Sequence, residues 1–349
     1  MTASTQTSLL QIDGAAGEGG GQILRNALAL SVATGRPFEI TRIRAGREKS
    51  GLLRQHLACV RAAQAVSGAE VDGAHAGSEH VSFVPGPVQG GTYRFAVGSA
   101  GSAVLVLQAV LPALLTADAP SHLTLEGGTH NPSAPTFEFF DEVLLPVLRR
   151  MGPGLTARLE RRGFYPAGGG RFTLEVEPVD ALTPVELLER GDPVSRSAEA
   201  VVCHLPRHIA EREVKELRSR LDLPDAAADV QVLEEGPGPG NALLLRLAFE
   251  HATEVISGIG RYGRTAEGVA RDVASQARRY LRADVPVGRH LADQLVVPFA
   301  LAGKGSFRTF ALSRHTTTAI AGLRPFLDVA VQVEDEPGKT RRVTFGGGE

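Results

Sequence analysis

Gln108-Ala-Val-Leu-Pro112 recurs in pattern as Glu142-Val-Leu-Leu-Pro146 and again as Gln294-Leu-Val-Val-Pro298. Each copy is a polar residue, an apolar run and a proline, set in a predicted helix with more apolar sequence beyond. Chance among aliphatic helices is one explanation. The other is a supersecondary unit that stacks on its own copies to bury the face of a sheet. That second reading makes this a chain of repeated units.

The sequence around these segments carries the same rhythm. A helix is predicted over 22–34, with Ile23, Leu24, Ala27, Leu28 and Val32 on one face and Gly35 as its stop. A β-type run over 38–43 follows Pro37. A second helix is expected over 52–66, with Leu53, Leu57 and Val60 as its stripe and Gly68 after its end. Strand, loop and helix alternate in this way, which points to an α/β or α+β chain of small sheet-and-helix units. Between about 184 and 281 the texture changes. A charged amphipathic helix is expected over 210–221, with opposite charges three or four residues apart. Strands are expected over 230–233 and 243–249 around Gly236-Pro-Gly-Pro-Gly240, and a helix over 265–281. Repeat-like sequence on both sides makes 184–281 an inserted smaller domain within a large one (1–183 and 282–349). Gly346-Gly-Gly-Glu349 reads as a frayed tail.

Composition sets the outer bounds. A length of 349 residues suggests two or three domains. With 43% hydrophobic and 22% charged residues a large core can form, and disorder is excluded as the main theme. A formal charge of −2 excludes a histone-like grip on nucleic acid, so any nucleic-acid or nucleotide site must be local. Cys59 and Cys203 lie far apart and form neither a disulfide framework nor a zinc pattern. No apolar run approaches a membrane span. Residues 1–6 lack the basic and apolar regions of a secretory leader, so a reducing cytoplasm is expected. The only lysines are Lys49, Lys215, Lys304 and Lys339, and in so arginine-rich a chain no Arg signals a site by type alone.

Two nucleotide motifs fail on context. Gly338-Lys-Thr340 resembles the end of a P-loop, but Val333 stands where the first glycine is required, and Glu334-Asp-Glu336 would repel phosphate. Gly258-Ile-Gly260-Arg-Tyr-Gly263 fits a dinucleotide pattern, but no βαβ unit follows it.

Other segments are stronger candidates. Gly17-Glu-Gly-Gly-Gly-Gln22 ends where the first helix begins, so its backbone and the helix N-terminus suit an anion. Glu18 fits a phosphate cradle if Mg²⁺ or Mn²⁺ bridges carboxylate and phosphate oxygens; the plainer reading is a tight turn with a solvated Glu. Arg25 lies near the helix start, and Arg42, Arg44, Arg47, Lys49 and Arg54 follow, with Gln55 and His56 just inside the next helix. Such a run is either a solvated face or, since Arg44-Ala-Gly-Arg47 lies in a strand-to-helix loop, a bidentate phosphate site. Glycine loops at 97–102, 127–135 and 164–171 suggest backbones converging on a ligand. Most histidines have no informative neighbours. His315, after Ser313-Arg314, opens a helix-like segment. A helix N-terminus disfavours imidazolium, and neutral imidazole is a nucleophile near pH 7. A capping histidine is the equal alternative.

Together these segments resemble the RNA 3′-terminal phosphate cyclases over nearly the whole chain. The matching runs are Gly17-Glu-Gly-Gly-Gly-Gln-Ile-Leu-Arg25, Arg44-Ala-Gly-Arg47, Gly51-Leu-Leu-Arg-Gln-His56, Gly127-Gly-Thr129, His290-Leu-Ala-Asp-Gln294 and Ser313-Arg-His315. The resemblance implies three repeated units, each a four-stranded sheet with two helices, and an inserted domain of thioredoxin-like topology. It implies that ATP adenylylates His315, that AMP passes to an RNA 3′-phosphate, and that the 2′-OH then closes a 2′,3′-cyclic phosphate. By the same resemblance Glu18 is the metal ligand, for Mg²⁺ or Mn²⁺. Arg25, Arg44 and Arg47, with Gln55 and His56, handle the phosphates. Gln108, Pro135, His290, Leu291, Ala292, Asp293 and Gln294 form the adenosine pocket, with Asp293 close to the chemistry. The partners implied are RNA 3′-phosphate ends, with no membrane and no obligate protein. Two positions depart from the family pattern: His290 where tyrosine is frequent, and Ala319 where an asparagine is common.

Three other readings compete. A non-catalytic cyclase-like ribosome-assembly protein would lack the nucleophilic histidine, which His315 with Glu18 and Arg25 argues against. An enolpyruvyl transferase leaves the adenosine motifs and His315 unexplained. A lysine-dependent nucleotidyl transferase needs Lys-x-Asp-Gly, whereas Lys49 precedes Ser50-Gly51.

Overall fold

The structure is a computed structural model describing residues 9–346. Its first unit runs β1 (Leu10–Asp13), α1 (Gly21–Thr34), β2 (Phe38–Thr41), α2 (Arg54–Ser67), β3 (Glu70–Asp72) and β4 (Val81–Val84). β1 and β2 pair in parallel and the rest antiparallel, in the order β1-β2-β4-β3. Phe38, Ile40, Val81 and Phe83 alternate with more exposed residues and are fully buried beneath the helices. Gly35 and Gly68 take the left-handed conformation that ends α1 and α2.

The second unit repeats this plan. It contains β5 (Gly91–Ala96), α3 (Ala103–Leu107), α4 (Leu111–Leu114), β6 (Ser121–Gly127), α5 (Phe137–Phe139), α6 (Leu145–Arg150), β7 (Gly154–Arg161) and β8 (Gly170–Glu177). A π-turn over Phe140–Leu144 joins α5 to α6, and the sheet order is β5-β6-β8-β7. The third unit opens with β9 (Glu186–Leu187), and the insert follows. The insert contains β10 (Pro193–Cys203), α7 (Arg207–Leu221), β11 (Ala228–Leu233), β12 (Gly240–Phe249), β13 (Thr253–Ile259) and α8 (Ala266–Ala283). The third unit then resumes with α9 (Arg289–Leu301), β14 (Gly305–Phe310), α10 (Arg314–Leu323), β15 (Val331–Glu336) and β16 (Thr340–Phe345). Read from β9, its order is β9-β14-β16-β15, the same as in the other two. The fold is therefore the expected α/β assembly of repeated units.

The recurrence that suggested repeats is only partly in register with them. Gln108 and Gln294 fall on the first helical segments of units two and three, but Glu142 falls in the second helical segment of unit two. The unit-one counterpart is Asn26. Asn26, Gln108 and Gln294 each stand five positions beyond a helix start, at Gly21, Ala103 and Arg289. Nor does Gln108 lie within a continuous helix. It caps α3, and Pro112 begins a separate helical turn because proline cannot donate to the preceding one. Aliphatic residues and proline suit any buried helix end, which is why the pattern recurred out of register.

The insert forms its own sheet, β11-β10-β12-β13, with a parallel βαβ start and an antiparallel hairpin. Its separate core includes Val202, Leu217, Leu245, Val273 and Ala277. Its edges differ from the expected 184 and 281. Glu186–Leu187 pairs with β14 of the third unit, and α8 continues to Ala283. Gly258 lies at the end of β13, where a Cβ would strike Val269 and Val273 of α8, so that glycine serves helix packing. Gly338-Lys339 turns the β15–β16 hairpin. Gly346 donates its N–H to Ala330 O at 2.9 Å and belongs to the fold; residues 1–8 and 347–349 lie outside the described residues. Among the described residues no helix is long and apolar enough to cross a membrane, and both cysteines are buried and free.

Charges join the insert to unit two. Arg162, just beyond β7, contacts Glu138 of α5 at 3.1 Å and Glu199 of β10 at 3.2 Å. Arg246 of β12 contacts Glu142 at 2.8 Å and Glu199 at 3.1 Å. Glu199 thus serves two arginines. Glu199→Leu should weaken the tie between the insert and unit two and lower stability by about 1 kcal/mol, since Arg162 keeps Glu138 and Arg246 keeps Glu142, so neither charge is stranded. Urea unfolding of the full chain measures this; a change within error would show the network to be energetically idle.

Candidate active site

The site begins where two helix N-termini from different units meet. The turn after β1 delivers Glu18 to the start of α1, and Ser313 caps α10, its Oγ accepting Thr316 N–H at 3.0 Å. Thr318 Oγ1 accepts Glu18 N–H at 3.0 Å, and Arg314 donates to Gly17 O at 2.8 Å. The loop is thus tied to α10. Gly17 has φ +53°, and a Cβ there would fall 2.2 Å from Thr318 Oγ1. This contact requires glycine.

His315 lies in the first turn of α10. Its Nδ1 is 2.9 Å from Gln22 Oε1, an atom that can only accept, so Nδ1 carries a proton and in the neutral ring the lone pair falls on Nε2. The imidazole is 54% exposed and lines the cleft, leaving that lone pair accessible. Glu18, with its side chain almost buried, has Oε2 3.9 Å from His315 Nδ1 and in contact with Arg47, while Oε1 accepts Gln22 N–H. His56 Nδ1 accepts Leu53 N–H at 3.2 Å, so its proton sits on Nε2. Burial, with the charges of Arg44 and Arg25, holds His56 down at about 3, and it is neutral. Its Nε2 lies 2.3 Å from where a Cβ on Gly21 would stand, so this helix start must also be glycine.

A cleft of about 650 Å³ opens beside His315, between the repeat units and the edge strand β13 of the insert. Arg25, Gln108, Pro135, His290, Asp293 and Gln294 are among the residues that line it. Gln108 Nε2 donates to Gln294 Oε1 at 2.7 Å, joining equivalent positions of two repeats, and Asn26 lines the same space. Burial lowers the pKa of Arg25, opposed by Cys59, Glu18 and Asp293. Burial pushes Asp293 up to about 7 against its own backbone hydrogen bond and the charges of Arg25 and Arg289.

Several expected residues lie elsewhere. Leu291 and Ala292 are each 2% exposed and pack in the hydrophobic core, because two adjacent positions of α9 cannot share the face of His290 and Asp293. Gln55 spends its carbonyl on Ser102 N–H at 2.7 Å, joining α2 to the α3 start. Arg44 donates to Lys49 O and Gly51 O, bracing its own loop. The three glycine loops converge mainly on one another. Gly128 and Gly101 exchange a backbone bond of 2.8 Å, and Thr129 N–H reaches Gly163 O at 2.9 Å. Of these loops only 131–135 line the cleft.

The sequence reading missed Gln22, Asn26 and Thr318, whose roles depend on which helices meet. It also missed His130, which is fully buried, with Nε2 2.8 Å from Glu138. Although burial works against it, the charges of His130 and Arg162 hold Glu138 down at about 2. His130 directly precedes the cleft-lining segment, and the signal available was its place after the Gly-Gly-Thr run. Among the described residues no group of three or more His, Cys, Asp or Glu is placed to hold a metal. Glu18 is a single hard oxygen donor, which fits a cation that takes most of its other ligands from phosphates and water.

The family model described as RNA 3′-terminal phosphate cyclase matches residues 16–333. The chain belongs to that family. It is 50% identical to the RNA 3′-terminal phosphate cyclase of Salmonella paratyphi C over 330 residues, covering 95% of each chain. It is 51% identical to that of Ralstonia nicotianae over 328 residues, 94% of each. It is 47% identical to that of Koribacter versatilis over 334 residues, covering 96% of this chain and 94% of the relative. Against the cyclase pattern, Ala319 is 1% exposed within the core and brings no polar atom to the site; Gln22 is the residue that orients His315. His290 lines the cleft mouth where tyrosine is frequent.

Asp293 gives the cyclase a pH dependence of definite sign. Its folded value, about 7, lies above the ordinary carboxyl value of about 3.9, so between the two the folded state binds more proton. Its contribution is greatest at low pH and is lost as pH rises through 7. In the ligand-free chain Asp293→Asn should remove that loss and raise the urea midpoint more at pH 8 than at pH 5. Equal effects at both pH values would refute the shift.

Proposed function

We propose that the chain converts an RNA 3′-terminal phosphate to a 2′,3′-cyclic phosphodiester at the expense of ATP, through a covalent histidine–AMP. The observation that carries this reading is His315, its Nδ1–H held by Gln22 and its Nε2 lone pair presented at the wall of the cleft. In the first step Nε2 attacks the α-phosphorus of ATP, an N–P bond forms and pyrophosphate leaves. An oxygen of the RNA 3′-phosphate then attacks that phosphorus, the N–P bond breaks and a phosphoanhydride forms. Finally the 2′-OH attacks the RNA phosphorus, loses its proton and expels AMP. A terminal phosphate monoester has no good leaving group, and adenylylation supplies one. Ring closure is intramolecular and gains the advantage of proximity.

This chain's residues have matching tasks. Gln108 and Gln294 each keep a polar atom beyond their mutual bond, a carbonyl and an amide, to meet the edge of adenine. Pro135, Pro112 and Val297 give the base apolar walls. His290 and Asp293 stand over the path from base to phosphate. Arg25 and Arg47 supply fixed positive charge for the phosphates, and His56 a neutral N–H. Arg44 and Gln55 support the loop and helix carrying these groups. A Mg²⁺ or Mn²⁺ held by Glu18 would neutralise phosphate charge. With a cation there, Glu18 would no longer need Arg47 as its partner, and the Arg47 guanidinium would be free to meet phosphate.

Incubation with α-labelled ATP and Mg²⁺ or Mn²⁺ should give an acid-labile, base-stable protein–AMP adduct, and His315→Ala should abolish it. A persistent adduct would place the nucleophile elsewhere. An RNA with a 2′-deoxy, 3′-phosphate terminal sugar should accept AMP and stall. Release of AMP from that end at the normal rate would contradict the role of the 2′-OH.

A further inference from the structure

Beyond β13 the chain makes one tight turn before α8. Arg264 N–H donates to Arg261 O at 3.0 Å, and Gly263 has φ +77°, the turn form that wants glycine at its third position. The second position is Tyr262, which is fully exposed. The turn is braced rather than loose: the Arg264 guanidinium contacts Asp272 and donates to Gly268 O on α8. Arg261, by contrast, has no side-chain hydrogen bond or ion pair among the described residues. Both arginines line the cleft that holds His315, so the turn stands on its rim with Tyr262 between them.

A rigid turn that holds an aromatic ring in water beside an unpaired guanidinium, continuous with a cleft where phosphates react, suits a polymer that alternates bases and phosphates. Stacking on an exposed ring is tolerant of base identity, and a nearby cation tracks the backbone. This chain has a net charge of −2, so its grip on such a polymer must come from a few local groups. The geometry points to Tyr262 as a stacking platform for a base near the 3′ end of the single-stranded RNA substrate, with Arg261 engaging an adjacent phosphate. This rests on the proposed cyclase reaction and adds the residues that hold its RNA.

The chain contains no tryptophan, so Tyr262→Trp places a single reporter on the rim. A short single-stranded oligoribonucleotide ending in a 3′-phosphate, added without ATP, should quench its fluorescence. ATP and metal added without RNA should not. In turnover, Tyr262→Ala should raise the RNA concentration for half-maximal cyclisation about tenfold, and Tyr262→Phe should keep it within about twofold of the parent, since stacking needs the ring alone. Arg261→Gln should flatten the salt dependence of RNA binding by about one phosphate contact. Quenching by ATP alone, or a raised ATP requirement for RNA-free adenylylation in Tyr262→Ala, would assign the turn to the nucleotide and overturn the proposal. So would absence of quenching by RNA, or Tyr262→Ala that uses RNA as the parent does. RNA-free adenylylation of the parent reports on the cyclase reading by itself, so the two can fail separately.

Discussion

The site depends on the docking of the α1 loop against the start of α10. Thr318 and Arg314 hold the loop backbone, and Gln22 fixes the imidazole of His315. Two helix N-termini, each with unpaired N–H groups, are thereby brought to one place, which is favourable for anions and unfavourable for a second cation. Glu18 and Arg47 balance each other in that field. Loosening either anchor would leave the imidazole free to rotate, and its proton would no longer be confined to Nδ1.

The repeat architecture explains why such a site forms between units. The first helical segments of the three units meet at a common centre, where α1 packs on α4 and α9. Asn26, Gln108 and Gln294 occupy equivalent positions there, yet only Gln108 and Gln294 bond to each other. The neighbouring positions have diverged: Arg25, Leu107 and Asp293 precede them. Opposite charges on two of the three first helices put Arg25 and Asp293 within electrostatic reach. A symmetric scaffold thus holds an asymmetric set of charges.

The insert completes the cleft and is not a passive neighbour. Its edge strand β13 forms one wall, and the Arg162–Glu199–Arg246 network ties its sheet to unit two. The network passes through Glu138 to His130, and His130 precedes the segment 131–135 that lines the cleft. A continuous chain of charged contacts thus runs from the insert to the residue just before that segment.

Much of this molecule was written locally. Helix stops at Gly35 and Gly68, the cap at Ser313 and the hairpin glycine Gly338 follow from backbone conformation, which each residue settles with its neighbours. Glu18, Arg25 and His315 stood out by their places at helix starts, whereas Asp293 was marked only by the resemblance to the cyclases. What sequence could not express was partnership across hundreds of positions. Gln22 reads as an ordinary helix residue until α10 arrives beside it. Leu291 and Ala292 read as part of a binding run until α9 turns them into the core. The glycine loops read as a ligand cradle, yet most of those glycines let one backbone approach another. Conformational preference is a short-range property of the chain; hydrogen-bond partners, burial and the fields that move a proton arise only when distant segments share one dielectric environment.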